Sequence, residues 1–213
     1  TFSAANGATG NPNVGNAISA NDLLNGATPT VGATGNSVMT VVTPAAPIFG
    51  APAGSFVPVV DPITGIVSVP AGTPAGAYTI NYRLCEKLNH TNCDNATITV
   101  NVAAAPIVAV NDPLPSTNGA TGNPTAGNAF TGDTINGQPA TTSNATVVVK
   151  TPATAINGGP VPSMNPATGV VSVPAGTPAG SYTIVYTLCE KLNPTNCQDA
   201  TITVPVGAAP IDA

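Results

Sequence analysis

Residues 67–102 read VSVPAGTPAGAYTINYRLCEKLNHTNCDNATITVNV, and residues 171–206 read VSVPAGTPAGSYTIVYTLCEKLNPTNCQDATITVPV. Extending the match upstream, residues 61–100 equal residues 165–204 at 31 of 40 positions, at a constant offset of 104 (165 minus 61). Within the stretch, Tyr78, Ile80, Tyr82 and Leu84 alternate with Thr79, Asn81 and Arg83, the period of two that marks a half-buried strand. The second copy keeps the first set as Tyr182, Ile184, Tyr186 and Leu188 but changes the other to Thr183, Val185 and Thr187, so the unchanged set is read as the core face. Ala96, Ile98, Val100 and Val102 alternate with Thr97, Thr99 and Asn101 in the same way. The two runs, joined by the polar CEKLN segment that is identical in both copies and read as exposed, predict a hairpin.

Working outward, NGATGNP at residues 6–12 recurs at 118–124 with an offset of 112 (118 minus 6). The second copy is therefore eight residues shorter, a loss assigned to the stretch between Thr43-Pro44 and Asp61, where loop length costs little. Further strands are expected at 38–42, 56–60 and 66–69, with equivalents at 145–149 and 170–173. The Asn-Gly pairs beginning at Asn6, Asn25, Asn118, Asn136 and Asn157 are read as tight turns with positive φ. Six or seven short strands per hundred residues describe an all-β chain of two tandem immunoglobulin-like β-sandwich repeats, residues 1–105 and 106–213. No helix is required, and an up-and-down barrel is the rival architecture. Tyr78 and Tyr182, each following a PAG turn, sit where sandwich folds place a tyrosine corner.

Composition agrees with strands and turns. Glycine (22) and proline (23) punctuate a chain with 24 Val and 12 Ile against 7 Leu, a β-branched bias. Four Lys+Arg against nine Asp+Glu leave no basic surface for a phosphate backbone, which excludes nucleic acid as a partner. No apolar run reaches the roughly 18–20 residues that a spanning helix needs, so no membrane insertion is expected. One histidine, His90, and no Trp leave few groups for acid–base chemistry, and neither an enzyme nor a cofactor is expected.

The cysteines stand eight apart on the flanks of the predicted hairpin, which suits the short separation of a disulfide, and Cys85 is paired with Cys93 and Cys189 with Cys197. Persistent disulfides indicate an oxidising compartment. Zinc needs four ligands, and Pro194 replaces His90 in the second copy. An isopeptide crosslink would need a buried lysine in both copies, yet Lys150 has no lysine counterpart and Lys87 and Lys191 fall in the cysteine loop. The Thr-x-Thr units at Thr97 and Thr201 are too few for an ice-binding array. Sequons occur at Asn89, Asn95 and Asn144.

The string VPAGTPAGSYTIVYTLCEKLNPTNCQDATITV, with AVND at the module junction and SANDLLNG in the first module, resembles the tandem Ig-like repeats of large surface proteins of Bacteroidota, especially flavobacteria. The resemblance implies a secreted or cell-surface protein, often exported by type IX secretion, whose repeats form a stalk, adhesive fibre or filament. It implies no defined ligand for the repeats. Surface glycans or proteins are the partners under an alternative adhesive reading, and a third reading is an accessory repeat of a secreted enzyme. In related calcium-binding repeats acidic runs near the AND and VND motifs supply oxygens. The corresponding positions here are Asp22, Asp112 and Asp133, isolated acids that also fit solvated turns, whereas calcium wants six to eight oxygens. Asp133-Thr134-Ile135 resembles the Asp-Ser/Thr-aliphatic O-glycosylation signal of that phylum, making Thr134 a modification candidate.

The repeat frame carries one more expectation. Module two opens with PIVAVND at residues 106–112, Thr1 aligns with Pro113, and PIDA at 210–213 matches Pro106 to Ala109. The frame predicts head-to-tail continuation with neighbouring copies of the repeat, within one longer polypeptide or by strand donation between chains.

Overall fold

The computed structural model describes residues 1–19 and 21–212, with the side chains of Ala4 and Ala5 also outside the description; Ala20 of the SANDLLNG motif and Ala213 of the PIDA match fall outside it. Contacts divide the chain into Thr1–Ala105 and Pro106–Ala213. The first unit contains β1 (Phe2–Asn6), β2 (Asn11–Asn16), β3 (Ser37–Thr43), β4 (Val59–Val60), β5 (Ile66–Val69), β6 (Gly76–Glu86) and β7 (Cys93–Ala103). The second contains β8 (Ile107–Val108), β9 (Asp112–Pro113), β10 (Thr117–Asn118), β11 (Asn123–Asn128), β12 (Thr134–Ile135), β13 (Gln138–Pro139), β14 (Ala145–Thr151), β15 (Ser163–Met164), β16 (Val170–Val173), β17 (Gly180–Glu190) and β18 (Cys197–Gly207). Among the described residues there is no helix.

The first unit pairs its strands as β1-β7-β6-β3 in one sheet and β2-β5-β4 in the other. The second repeats this with β10-β18-β17-β14 and β11-β16-β15, and adds a small sheet β13-β12-β8 and the strand β9 alongside β18. In each unit an early strand, β1 or β10, runs parallel to the last one while the long hairpin is antiparallel, the sandwich arrangement of immunoglobulin-like domains. Each unit is an Ig-like β-sandwich. The alternation read from sequence decides its inner face: Tyr78, Ile80 and Tyr82 from β6 and Ile98, Val100 and Val102 from β7 pack in one cluster with Val60, Val67 and Val69 of the facing sheet. Tyr182, Ile184, Tyr186, Leu188, Ile202 and Val204 are each 2% exposed or less in the second unit. The outward threonines of the same strands meet solvent, which a low-charge surface needs.

Four local readings are corrected. The Asn-Gly turns form with positive φ at Asn25, Asn136 and Asn157 (53°, 56° and 50°), whereas at Asn6 and Asn118, which end strands β1 and β10, the turn is closed by the Gly10 N–H on the Asn6 carbonyl and the Gly122 N–H on the Asn118 carbonyl, and the positive φ falls on Gly10 and Gly122. There the glycine answers to space: a Cβ on Gly7 would lie 1.7 Å from the Thr73 carbonyl oxygen, and one on Gly119 would lie 2.0 Å from that of Thr177. The strand expected at 56–60 shrinks to Val59–Val60, since Pro58 has no N–H for a ladder and Phe56 is 58% exposed. The eight-residue deletion is split between two loops. The offset is 112 at Asn11/Asn123, 108 at Ser37/Ala145 (145 minus 37) and 104 at Val59/Ser163 (163 minus 59), so four residues are lost before β14 and four after it. CEKLN, read as exposed in both copies, is exposed around Leu88 and Asn89, whereas in the second unit Glu190 is 2% and Asn193 7% exposed. Gly119→Ala is expected to destabilise the second unit by about 1–3 kcal/mol through the backbone clash. Urea denaturation followed by circular dichroism checks this, and a midpoint equal to wild type would show that the close approach relaxes freely.

Candidate functional site

The long hairpin brings each cysteine pair into direct register, Cys85 opposite Cys93 and Cys189 opposite Cys197. Both pairs are disulfides, with Cα–Cα separations of 4.0 and 4.1 Å, and no described cysteine is free. The loop inside each ring is ordered by its own polar groups: Asn92 Nδ2 donates to Glu86 Oε2 at 2.9 Å, and Asn196 Nδ2 donates to Glu190 Oε2 at 2.8 Å. Lys87 Nζ donates to the Ala33 carbonyl and Lys191 Nζ to the Thr142 carbonyl, each at 2.6 Å, which ties the loop to the segment preceding β3 or β14. The glutamate and lysine of CEKLN, with the asparagine that precedes the second cysteine, are therefore structural. Replacing Cys189 and Cys197 together by Ala is expected to cost about 2.5 kcal/mol in the chain-entropy model for so short a loop. Chemical denaturation of oxidised wild type and variant checks it, and labelling of the unreduced wild type should find no reactive thiol.

At the start of each hairpin the tyrosine corner is formed. Tyr78 Oη donates to the Pro74 carbonyl and Tyr182 Oη to the Pro178 carbonyl, both at 2.8 Å. The PAG turn that places these carbonyls is itself fixed by Thr73 and Thr177, whose hydroxyls donate to the carbonyls of Pro70 and Pro174.

The acidic candidates are brought together only in part. Asp112 and Asp133 converge on Tyr186 in the second unit, and Asp22 meets Tyr82 in the first. Tyr186 Oη lies 2.8 Å from Asp133 Oδ2, 3.1 Å from Asp112 Oδ2 and 3.2 Å from the Val110 carbonyl, with both acids buried at 1% and 5% exposure. Asp133 also accepts from the Val110 N–H at 2.7 Å. One phenol proton cannot serve three acceptors at once, and a proton held on one of the two carboxyls would add a second donor to the network. Desolvation, and then the charge of Asp133, push Asp112 up to about 7, and desolvation also raises Asp133. Tyr186 is raised far above the usual phenol range by burial and by the two carboxylates. In the first unit Tyr82 is pushed up to about 12, first by burial and then by Asp22, which its hydroxyl meets at 3.2 Å. Among the described residues no group of three or more His, Cys, Asp or Glu side chains could hold a metal. What the sequence reading missed is the tyrosine: Tyr82 and Tyr186 read as core residues only, although a buried phenol requires a polar partner.

Thr134 lies in β12 between buried Asp133 and buried Ile135, with its own side chain partly exposed. Lys150 forms an exposed ion pair with Asp199 and is not a buried crosslinking lysine.

No family model matches the chain and no curated protein matches it. Solved structures with similarity include the human desmocollin-1 ectodomain (TM-score 0.34, 11% identity, covering 100% of this chain and 41% of that one). Others are domains 3–6 of protocadherin gamma B2 (TM-score 0.35, 13% identity, 98% and 50%) and EC22–24 of mouse cadherin-23 (TM-score 0.35, 11% identity, 98% and 63%). The chain thus spans roughly half the length of these structures. Similarity at this level says nothing about this chain's ligands or partners.

Proposed function

We propose that this chain is a structural, non-catalytic repeat segment of an extracellular surface fibre or adhesin stalk, with neighbouring repeats joined head-to-tail. The observation that carries the reading is what the 31 shared positions do. Many of them build the corner, the cystine ring, the lysine ties and the inner faces of the sheets, so the repeated pattern is in large part the pattern of the fold itself. Two disulfides in about two hundred residues suit an oxidising exterior. The sequence resemblance favours the surface of a member of the Bacteroidota, with type IX secretion as the export route.

An adhesive reading has one observation in its favour. The loop after β3 runs four residues longer than its counterpart and carries Phe49, which is fully exposed. A lone phenyl ring is a small contact for a sugar or protein partner. Electron microscopy of native material separates the readings when combined with glycan-array screening of the isolated chain. A thin beaded fibre and no array signal are expected. Non-periodic particles would overturn the fibre reading, and saturable glycan binding lost in Phe49→Ala would favour adhesion.

A further inference from the structure

The two units differ most at one place. In the second, residues 106–112 lie along the side of the sandwich as an added strand. The Pro106 carbonyl accepts from the Asn136 N–H at 2.8 Å, Ile107 stands opposite Ile135, and the Ala109 N–H donates to Gln198 Oε1 at 2.9 Å. The Val110 N–H donates to Asp133, Asn111 Oδ1 accepts from the Thr201 N–H at 3.0 Å, and Asp112 meets both Tyr186 and the edge of β18.

The first unit has the same receiving groups and an open cleft over them. Asp22, Leu24, Tyr82, Leu84, Asp94 and Ala96 line a cleft of about 320 Å³. Each stands where the second unit has Asp133, Ile135, Tyr186, Leu188, Gln198 and Ala200; Asp22 and Asp133 are matched by their shared tyrosine contact. Burial tells the same story. Ile135, Leu188 and Ala200 are 4%, 0% and 5% exposed, whereas Leu24, Leu84 and Ala96 are only half-buried. Asn25 and Thr97, the counterparts of Asn136 and Thr201, have no equivalent of Pro106 or Asn111 opposite them among the described residues.

We infer that this cleft is a strand-accepting site, and that its occupant is a second copy of the Pro106–Asp112 strand supplied by a neighbouring repeat. The inference deepens the head-to-tail reading above and rests on it for the source of the strand. The fit is specific in chemistry. An aliphatic residue in the position of Ile107 would cover Leu24, two backbone N–H groups would meet the carboxylates of Asp94 and Asp22, and an Asn-Asp pair would reach Thr97 and Tyr82. Main-chain hydrogen bonds supply affinity in this mode and alternate side chains supply choice of partner. A dry small-molecule pocket is a poorer description, because the cleft's groups are spaced to match a backbone and are already matched by one in the second unit.

The test fuses PIVAVND directly before Thr1 of the full chain, which gives the strand a high effective concentration. A control fusion carries Ser at the positions of the Ile and the Asp. Amide exchange read by NMR is expected to slow at least tenfold at Asn25 and Thr97 in the first fusion alone, with no change in the second unit, where the position is already filled. Protection equal to that of the control would overturn the inference. If the first unit of the parent chain exchanges throughout, the fusion must restore protection at Ile80 and Val100 as well, and failure to do so would equally overturn it. Neither failure touches the fibre reading, which is judged by images of native material.

Discussion

Between pH 4 and pH 8 the second unit is expected to lose about 2–4 kcal/mol of stability, and Asp112→Asn is expected to abolish most of that loss. The unfolded chain releases the Asp112 proton near 3.8, whereas in the folded unit desolvation, assisted by the charge of Asp133, holds it to about 7. Between those values the folded state keeps a proton that the unfolded state has lost. The contribution is therefore complete below about pH 4, declines as the pH rises, and is gone above about pH 7. Three pH units at about 1.36 kcal/mol each set a ceiling near 4 kcal/mol, and coupling to Asp133 across one phenol lowers it. Asp61 and Asp199 act in the opposite direction, since hydrogen bonds to Ile63 and Thr64 and to Lys150 and Thr187 lower them, but they lie on the surface and matter only in acid. Asparagine at position 112 cannot ionise and can still offer an N–H to Tyr186, so the variant should keep only the smaller slope that desolvation of Asp133 contributes. Urea titrations at several pH values, with hydrogen exchange at Tyr182–Tyr186 to locate the effect, decide it. A wild-type profile flat from pH 4 to 8 would show that both carboxylates are ionised in the folded unit, and a slope that survives undiminished in the variant would show that a group other than Asp112 holds the proton.

The second large effect lies at the corner. Tyr182→Ala is expected to cost about 3–5 kcal/mol and Tyr182→Phe about 1–1.5 kcal/mol. The ring is 2% exposed and stands in the middle of the sandwich, so its loss leaves a cavity that two pinned sheets cannot close. The smaller figure is the hydroxyl's bond to the Pro178 carbonyl at 2.8 Å, with the carbonyl left to find water. The same pair of substitutions at Tyr78 should repeat both values in the first unit, since its bond to Pro74 has the same length. If Phe costs as much as Ala, the corner acts through its hydrogen bond and the cavity argument fails. If Phe costs nothing, the hydroxyl is replaced by water without penalty.

Much of this protein is determined by short-range pattern. Strict alternation in two copies orients Tyr78, Ile80 and Tyr82 inward, because a strand offers only two faces and burial chooses the apolar one. The eight-residue cysteine spacing on a hairpin leaves each pair facing its partner across the ladder, so the cystine ring follows from local geometry. Repetition locates the modules, since identical residues in identical order build the same sandwich twice.

What only the tertiary structure decided depends on contacts between segments far apart in the chain. Asn6-Gly7 and Asn25-Gly26 are the same dipeptide and both open turns, yet only the second takes positive φ, while Gly7 packs directly against the backbone of Thr73, a residue far away in the chain. Asp112 and Asp133 read as isolated acids at a separation that no motif describes, and they meet because β9 and the segment before β12 both close over Tyr186. Asp22 meets Tyr82 in the first unit, where Leu84 stays half-buried beside an open cleft. Identical sequence in the CEKLN loop likewise differs in burial between the copies, with Glu86 half-buried and Asn89 exposed where Glu190 and Asn193 are buried.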